Sequence, residues 1–145
     1  MELLDVARHW AADPASWPVA PRFDPADRWY SRLAATDDHE VWLLTWLPGQ
    51  HTDLHDHGGS SGAFVVVSGV LTEETLHRRR LAARVLPAGD QRVFGARHVH
   101  RVANLGAEPA VSLHVYAPAL RSMTRYLMEG DALRVAEVAR AGVAW

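Results

Sequence analysis

From Arg28 to Pro118 the chain is cut into short apolar runs by clusters of turn residues, and this limits the folds open to it. Asp37-Asp38, Pro48-Gly49, Gly58-Gly59, Pro87-Ala88-Gly89-Asp90 and Gly106-Ala107-Glu108-Pro109 supply the glycine, proline and aspartate that tight turns need. Between them, residues 29–35, 41–47, 63–71, 83–86, 101–104 and 111–116 are rich in branched and aromatic side chains and read as strands. Many short strands at close intervals predict an all-β antiparallel sandwich or barrel.

Ahead of this core, residues 2–12 place Leu3, Leu4, Val6, Ala7, Trp10 and Ala11 at helical spacing, and Asp13-Pro14 ends the pattern. Pro14, Pro18, Pro21 and Pro25 follow in an irregular lead-in, with Trp17 and Phe23 as expected anchors. A chain of 145 residues reads as one domain: a helical and proline-rich lead-in over 1–27, a strand-rich core over 28–118, and a tail over 119–145. In the tail, Asp131 can cap a helix or Glu129-Gly130-Asp131 can turn a hairpin; the hairpin is the preferred reading.

Charge excludes several function classes. The formal net charge is −2, with no lysine or arginine block of the kind that binds nucleic acid or a membrane surface. Arg78-Arg79-Arg80 reads as a solvated hairpin end. The first ten residues carry acids where a secretory signal carries bases, and no stretch reaches membrane-spanning length. A monomeric, cytoplasmic protein without nucleic-acid or membrane partners is expected. There is no cysteine, which removes disulfides, thiolate ligands and a cysteine nucleophile together.

Histidine is abundant instead. Of nine, seven fall between residues 51 and 114, among them His51, His55, His57, His98, His100 and His114. In extended backbone, positions i and i+2 project from one face, so His55 and His57 can aim at one ion. His98-Val99-His100 offers a third nitrogen from either of two rings on one strand face, while His51 reads as a loop residue at the rim. Three imidazoles with open coordination positions make a reactive metal centre.

Gly49, His55-Asp56-His57 and Gly69 together resemble the first motif of the cupin family, and His100-Arg101-Val102-Ala103-Asn104 resembles its second. The resemblance implies a jelly-roll β-barrel with a metal in its mouth, and the spacing to Asn104 favours His100 over His98. The family's usual glutamate is absent, because Gly62 stands at its place. Three neutral imidazoles leave the full charge on a metal, which favours anionic ligands and lowers the pKa of a bound thiol.

More narrowly, the chain resembles the cysteine dioxygenase (thiol dioxygenase) family. Tyr30-Ser31-Arg32, His55-Asp56-His57, Gly69-Val70-Leu71-Thr72-Glu73, His100-Arg101-Val102 and the string from Glu108 to Pro118 carry this likeness. The resemblance implies non-haem Fe(II) on His55, His57 and His100, dioxygen as co-substrate, and a small-molecule thiol converted to its sulfinate. It further implies that Ser112, His114 and Tyr116 form a relay ending at the tyrosine hydroxyl, and that Arg32 and Tyr30 hold the substrate carboxylate. An arginine grips a carboxylate through two charge-assisted bonds, which points to cysteine; related enzymes acting on mercaptopropionate tend to have glutamine there. Many animal members have a cysteine where Gly62 stands, which forms a thioether with the active-site tyrosine; with no cysteine in this chain, Tyr116 is expected to act as a plain phenol. The alternatives are a dioxygenase of another small thiol such as 3-mercaptopropionate, and a non-catalytic metal-binding cupin.

Overall fold

The computed structural model describes residues 2–140. The apolar repeat at the N-terminus forms α1 (Leu3–Ala11), with Asp5 in its first turn where the helix dipole favours an acid. Strands follow in the order β1 (Trp29–Ala35), β2 (Glu40–Trp46), β3 (Leu54–His55), β4 (Ser61–Ser68), β5 (Val70–His77), β6 (Arg80–Pro87), β7 (Gln91–Phe94), β8 (His100–Ala103), β9 (Ala110–Ala117), β10 (Ser122–Glu129) and β11 (Ala132–Arg140). One antiparallel sheet has the order β1-β2-β9-β4-β7 and the other β11-β10-β3-β8-β5-β6. From β2 to β10 the chain changes sheet at nearly every connection, which is the all-β jelly-roll architecture expected.

Burial on both faces of the first sheet explains its sequence. On β9, Ala110 and Tyr116 point between the sheets with Leu44, Trp46, Phe64, Val66 and Val102. The alternate residues Val111, Leu113 and Val115 point outward, where Val6, Ala7 and Trp17 cover them. Each fully buried aliphatic side chain contributes about 1.5–3 kcal/mol, so α1 and the lead-in form a second core rather than an appendage. Trp17 anchors that lead-in, its indole N–H donating to the Trp10 carbonyl at 2.9 Å. Phe23, expected to share the role, is 42% exposed and does not.

Three strand assignments differ from the sequence reading. The run 63–71 divides at Gly69 (φ 76°) into β4 and β5, which lie in different sheets. A Cβ at Gly69 would stand 2.5 Å from the Pro109 carbonyl oxygen, so the crossing requires glycine. β3 and β7 are too short to show a period in sequence. The Arg78–Arg79 pair forms the β5–β6 turn, with φ of 50° and 65°. Beyond Pro118, β10 and β11 pair about Gly130, while residues 141–145 of the tail lie outside the described residues.

Candidate metal centre

His55 ends β3 and lies opposite His100 of β8, while β10 flanks it on the other side through Arg125. Asp56 faces away and fixes the segment: its carboxylate accepts from the Thr124 amide at 3.0 Å and the Tyr126 hydroxyl at 2.8 Å. Gly58 follows with φ 58°, where a Cβ would collide with Ser122. His57 is thereby turned back toward the space between the sheets. Asn104, fully buried, donates to the carbonyls of Trp46 (2.9 Å) and Glu108 (2.8 Å), tying the end of β8 to the opposite sheet.

The result is a nearly regular triangle of imidazoles. Ring centroids are 4.9 Å apart for His55–His57, 4.7 Å for His55–His100 and 4.9 Å for His57–His100. His55 Nδ1 donates to the Asp53 carbonyl at 2.7 Å, and His100 Nδ1 donates to Glu73 Oε2 at 2.7 Å. Each ring therefore keeps Nε2 as a lone-pair donor. Both nitrogens of His57 are buried without a hydrogen-bond partner. An unsatisfied buried polar atom costs about 1–3 kcal/mol, and a metal ion would satisfy one of them. One donor atom from each of the three residues lies within 4.8 Å of the others. Burial lowers the basicity of His57 and His55 well below the ordinary histidine value, and that of His100 as well. The rings are thus neutral, as metal ligands must be. This all-nitrogen donor set fits a divalent transition metal such as iron.

His98 does not complete the triangle. Its Nε2 approaches Glu73 Oε2 at 3.3 Å, making a second, overlapping group of Glu73, His98 and His100. His51 is exposed, as expected of a rim residue. At the place of the usual carboxylate, a Cβ on Gly62 would lie 2.5 Å from Phe94 Cζ and 3.0 Å from Tyr116 Cδ1. Phe94 fills that space and stacks on His57 with centroids 4.7 Å apart.

On the facing sheet, β9 lines up the predicted relay. Ser112 Oγ lies 2.7 Å from His114 Nε2, and His114 Nδ1 lies 3.4 Å from the Tyr116 hydroxyl. Trp46, which the sequence reading does not single out, donates its indole N–H to Ser112 Oγ at 2.9 Å. Indole is a donor only, so the serine spends a lone pair on it and its own proton is best directed to His114 Nε2. His114 then carries Nδ1–H toward the tyrosine oxygen. Burial lowers His114 to about 3 and pushes the Tyr116 hydroxyl above its ordinary value, so both stay neutral. Tyr116 stacks on His57 at 5.3 Å, which places the relay against the imidazole triangle.

The arginines divide differently from the sequence reading. Arg32 is 56% exposed in its side chain and lies 3.7 Å from Glu40, whose other oxygen accepts the Leu120 amide. Arg28, one residue before β1, lies over the Trp46 ring at 5.5 Å, and its Nη1 is buried with no hydrogen-bond partner. Burial lowers Arg28 to about 10, so it remains a cation at neutral pH. Its charge further lowers the basicity of His55 and His114. Arg28, Tyr30 and Arg32 alternate on one strand face. That alternation was the available signal, but sequence alone does not say which arginine is buried. Tyr30 packs against the inner core and Trp42.

Comparison with known proteins agrees with this geometry. Residues 2–129 match the family described as Cysteine dioxygenase type I. The cysteine dioxygenase type 1 of Danio rerio is 27% identical over 136 residues, a match covering 83% of this chain and 66% of that protein. Its Homo sapiens counterpart is 26% identical over 130 residues, covering 81% and 64%. The chain therefore spans just under two thirds of the length of these relatives. A solved structure from Thermus thermophilus is 25% identical with TM-score 0.61, covering 68% of this chain and 90% of that one. An RmlC-like cupin from Desulfovibrio desulfuricans, 20% identical with TM-score 0.62 over 72% and 95%, shares the fold. A family match through nearly all of the described residues, on a cupin fold with a buried histidine triangle, makes this chain a member of the cysteine dioxygenase type I family.

Proposed function

We propose that the protein is a thiol dioxygenase that holds Fe(II) on His55, His57 and His100 and converts cysteine and dioxygen to cysteine sulfinate. The observation that carries this reading is the placement of the Tyr116–His114–Ser112 relay against three convergent, neutral imidazoles. A passive metal-binding cupin has no use for a directed chain of proton donors beside its metal. In balance, the thiol sulfur gains both atoms of one dioxygen molecule, and all the electrons come from that sulfur. Bound iron would supply the dipositive, redox-active centre at which thiolate and dioxygen meet. The chain's own residues orient the substrate, exclude water and present the Tyr116 proton, contributions that lower the barrier through placement.

The substrate's anionic end is assigned on the arginines. A buried guanidinium with an unpartnered Nη1, near the triangle, is better suited to grip a carboxylate than one already engaged by Glu40. Arg28 is therefore our first choice, with Tyr30 beside it, and Arg32 the second. Losing such a charge-assisted pair costs about 2–5 kcal/mol, or roughly thirty- to several-thousand-fold in kcat/KM. Oxygen uptake by iron-loaded protein should be measured with cysteine, 3-mercaptopropionate and cysteamine, which lacks a carboxylate. Cysteine should be preferred, Arg28→Gln should depress its kcat/KM by that factor, and Arg32→Gln should do so far less. The reverse order would return the role to Arg32, and a preference for 3-mercaptopropionate would replace cysteine as the substrate.

A further inference from the structure

Glu73 is the one carboxylate hydrogen-bonded to the imidazole triangle among the described residues, and nothing in the proposed chemistry uses it. It is 1% exposed and lies on β5, where Glu73 pairs with Val102 and Thr75 pairs with His100. Residues paired across an antiparallel ladder point to one face, so the carboxylate and the His100 ring rise side by side. Its two oxygens have separate duties. Oε1 accepts from Arg92 Nε at 2.6 Å, and Arg92 belongs to β7 of the opposite sheet. Oε2 accepts from His100 Nδ1 at 2.7 Å and is approached by His98 Nε2 at 3.3 Å. Arg92 thus pins the carboxylate from across the barrel while leaving one oxygen for the imidazoles.

We propose that Glu73 is the positioning residue of the metal centre: it fixes His100 as the Nδ1–H tautomer and supplies, through that ring, the anionic influence that the ligand set lacks. Phe94 occupies the space beside Gly62 where a ligating glutamate would stand, so a carboxylate cannot act directly there. The other two rings have no charged partner: His55 donates to a backbone carbonyl and His57 to none. A carboxylate behind one imidazole raises that ligand's basicity and fixes its orientation, and removing such a partner typically weakens metal binding about 10–100-fold. A purely structural ion pair with Arg92 would need no bond to His100.

This proposal rests on the metal reading above, and its test needs no turnover. Cobalt(II) should be titrated into metal-free wild type and Glu73→Gln, with thermal unfolding of both recorded without metal. The variant should unfold cooperatively and bind cobalt about 10–100-fold more weakly. Nitrogen-15 NMR of the wild type should show His100 protonated at Nδ1. Equal cobalt affinity in a folded variant, or His100 protonated at Nε2 in the wild type, would overturn the proposal. Should the variant not fold, the wild-type tautomer alone decides. A wild type that takes up no cobalt would sink the metal reading and this proposal together, whereas normal binding by both proteins would sink only the role of Glu73.

Discussion

Gly62 shows how one missing side chain shapes the centre. Adding a single methyl there would drive it to 2.5 Å from Phe94, which is stacked on His57 and has little room to retreat. Gly62→Ala should therefore lower stability by about 1–3 kcal/mol, the usual cost of overpacking, and weaken metal uptake with it. Urea unfolding and metal titration check this, and a variant unchanged in both would mean that Phe94 yields freely. Tyr116 makes a sharper case, because Tyr116→Phe removes only an oxygen. Iron content should be retained while turnover falls, or while oxygen uptake separates from sulfinate yield; full rate and coupling would make the hydroxyl structural. Local spacing put His55 with His57 and set Ser112, His114 and Tyr116 on one strand face, while the family resemblance singled the last three out. Trp46, Phe94 and Glu73 were not legible, since each meets the site through pairing with a distant strand; Arg28 alternates with Arg32, and only the fold says which of the two is buried.

At the scale of elements, what matters is how loops and turns are tied down to hold the ligands still. Asn104 makes three hydrogen bonds: its amide serves Trp46 and Glu108, and its oxygen accepts the Gly106 amide at 3.0 Å. Replacing it with alanine strands two carbonyls and an amide, so Asn104→Ala should cost about 2–4 kcal/mol. Denaturant unfolding measures it, and a loss under about 1 kcal/mol, the worth of a single bond, would contradict the role. α1, β1, β2 and β9 were readable because their periods repeat over seven or more residues, whereas β4 and β5 merged into one run at the Gly69 crossing. β3, two residues long, has no period to read, yet it carries His55. Likewise β10 places Thr124 and Tyr126 against Asp56, so the tail supports the histidine pair in a way that only the register reveals.

In the whole molecule, two sheets divide the work. The six-stranded sheet carries His55 and His100, with His57 just beyond β3, and the five-stranded sheet carries Ser112, His114 and Tyr116 on β9. The imidazoles and the β9 groups face one another beside a buried apolar cluster that includes Trp46, Phe64, Phe94 and Leu120. Jelly-roll connectivity brings this about, because segments far apart in sequence alternate between the sheets. Removing the metal should abolish activity without unfolding the barrel, because the two apolar clusters are built from side chains other than the ligands. His55→Ala should stay folded and bind no stoichiometric iron, while His98→Ala should keep most of it; metal analysis showing the opposite would move the third ligand. An enclosed thiol dioxygenase site should deliver both atoms of dioxygen to one thiol sulfur. Iron-loaded protein should be given cysteine under isotopically labelled dioxygen, and the product weighed by mass spectrometry. Cysteine sulfinate with both oxygen atoms labelled is expected; cystine with hydrogen peroxide, or a sulfinate carrying oxygen from water, would overturn the dioxygenase reading.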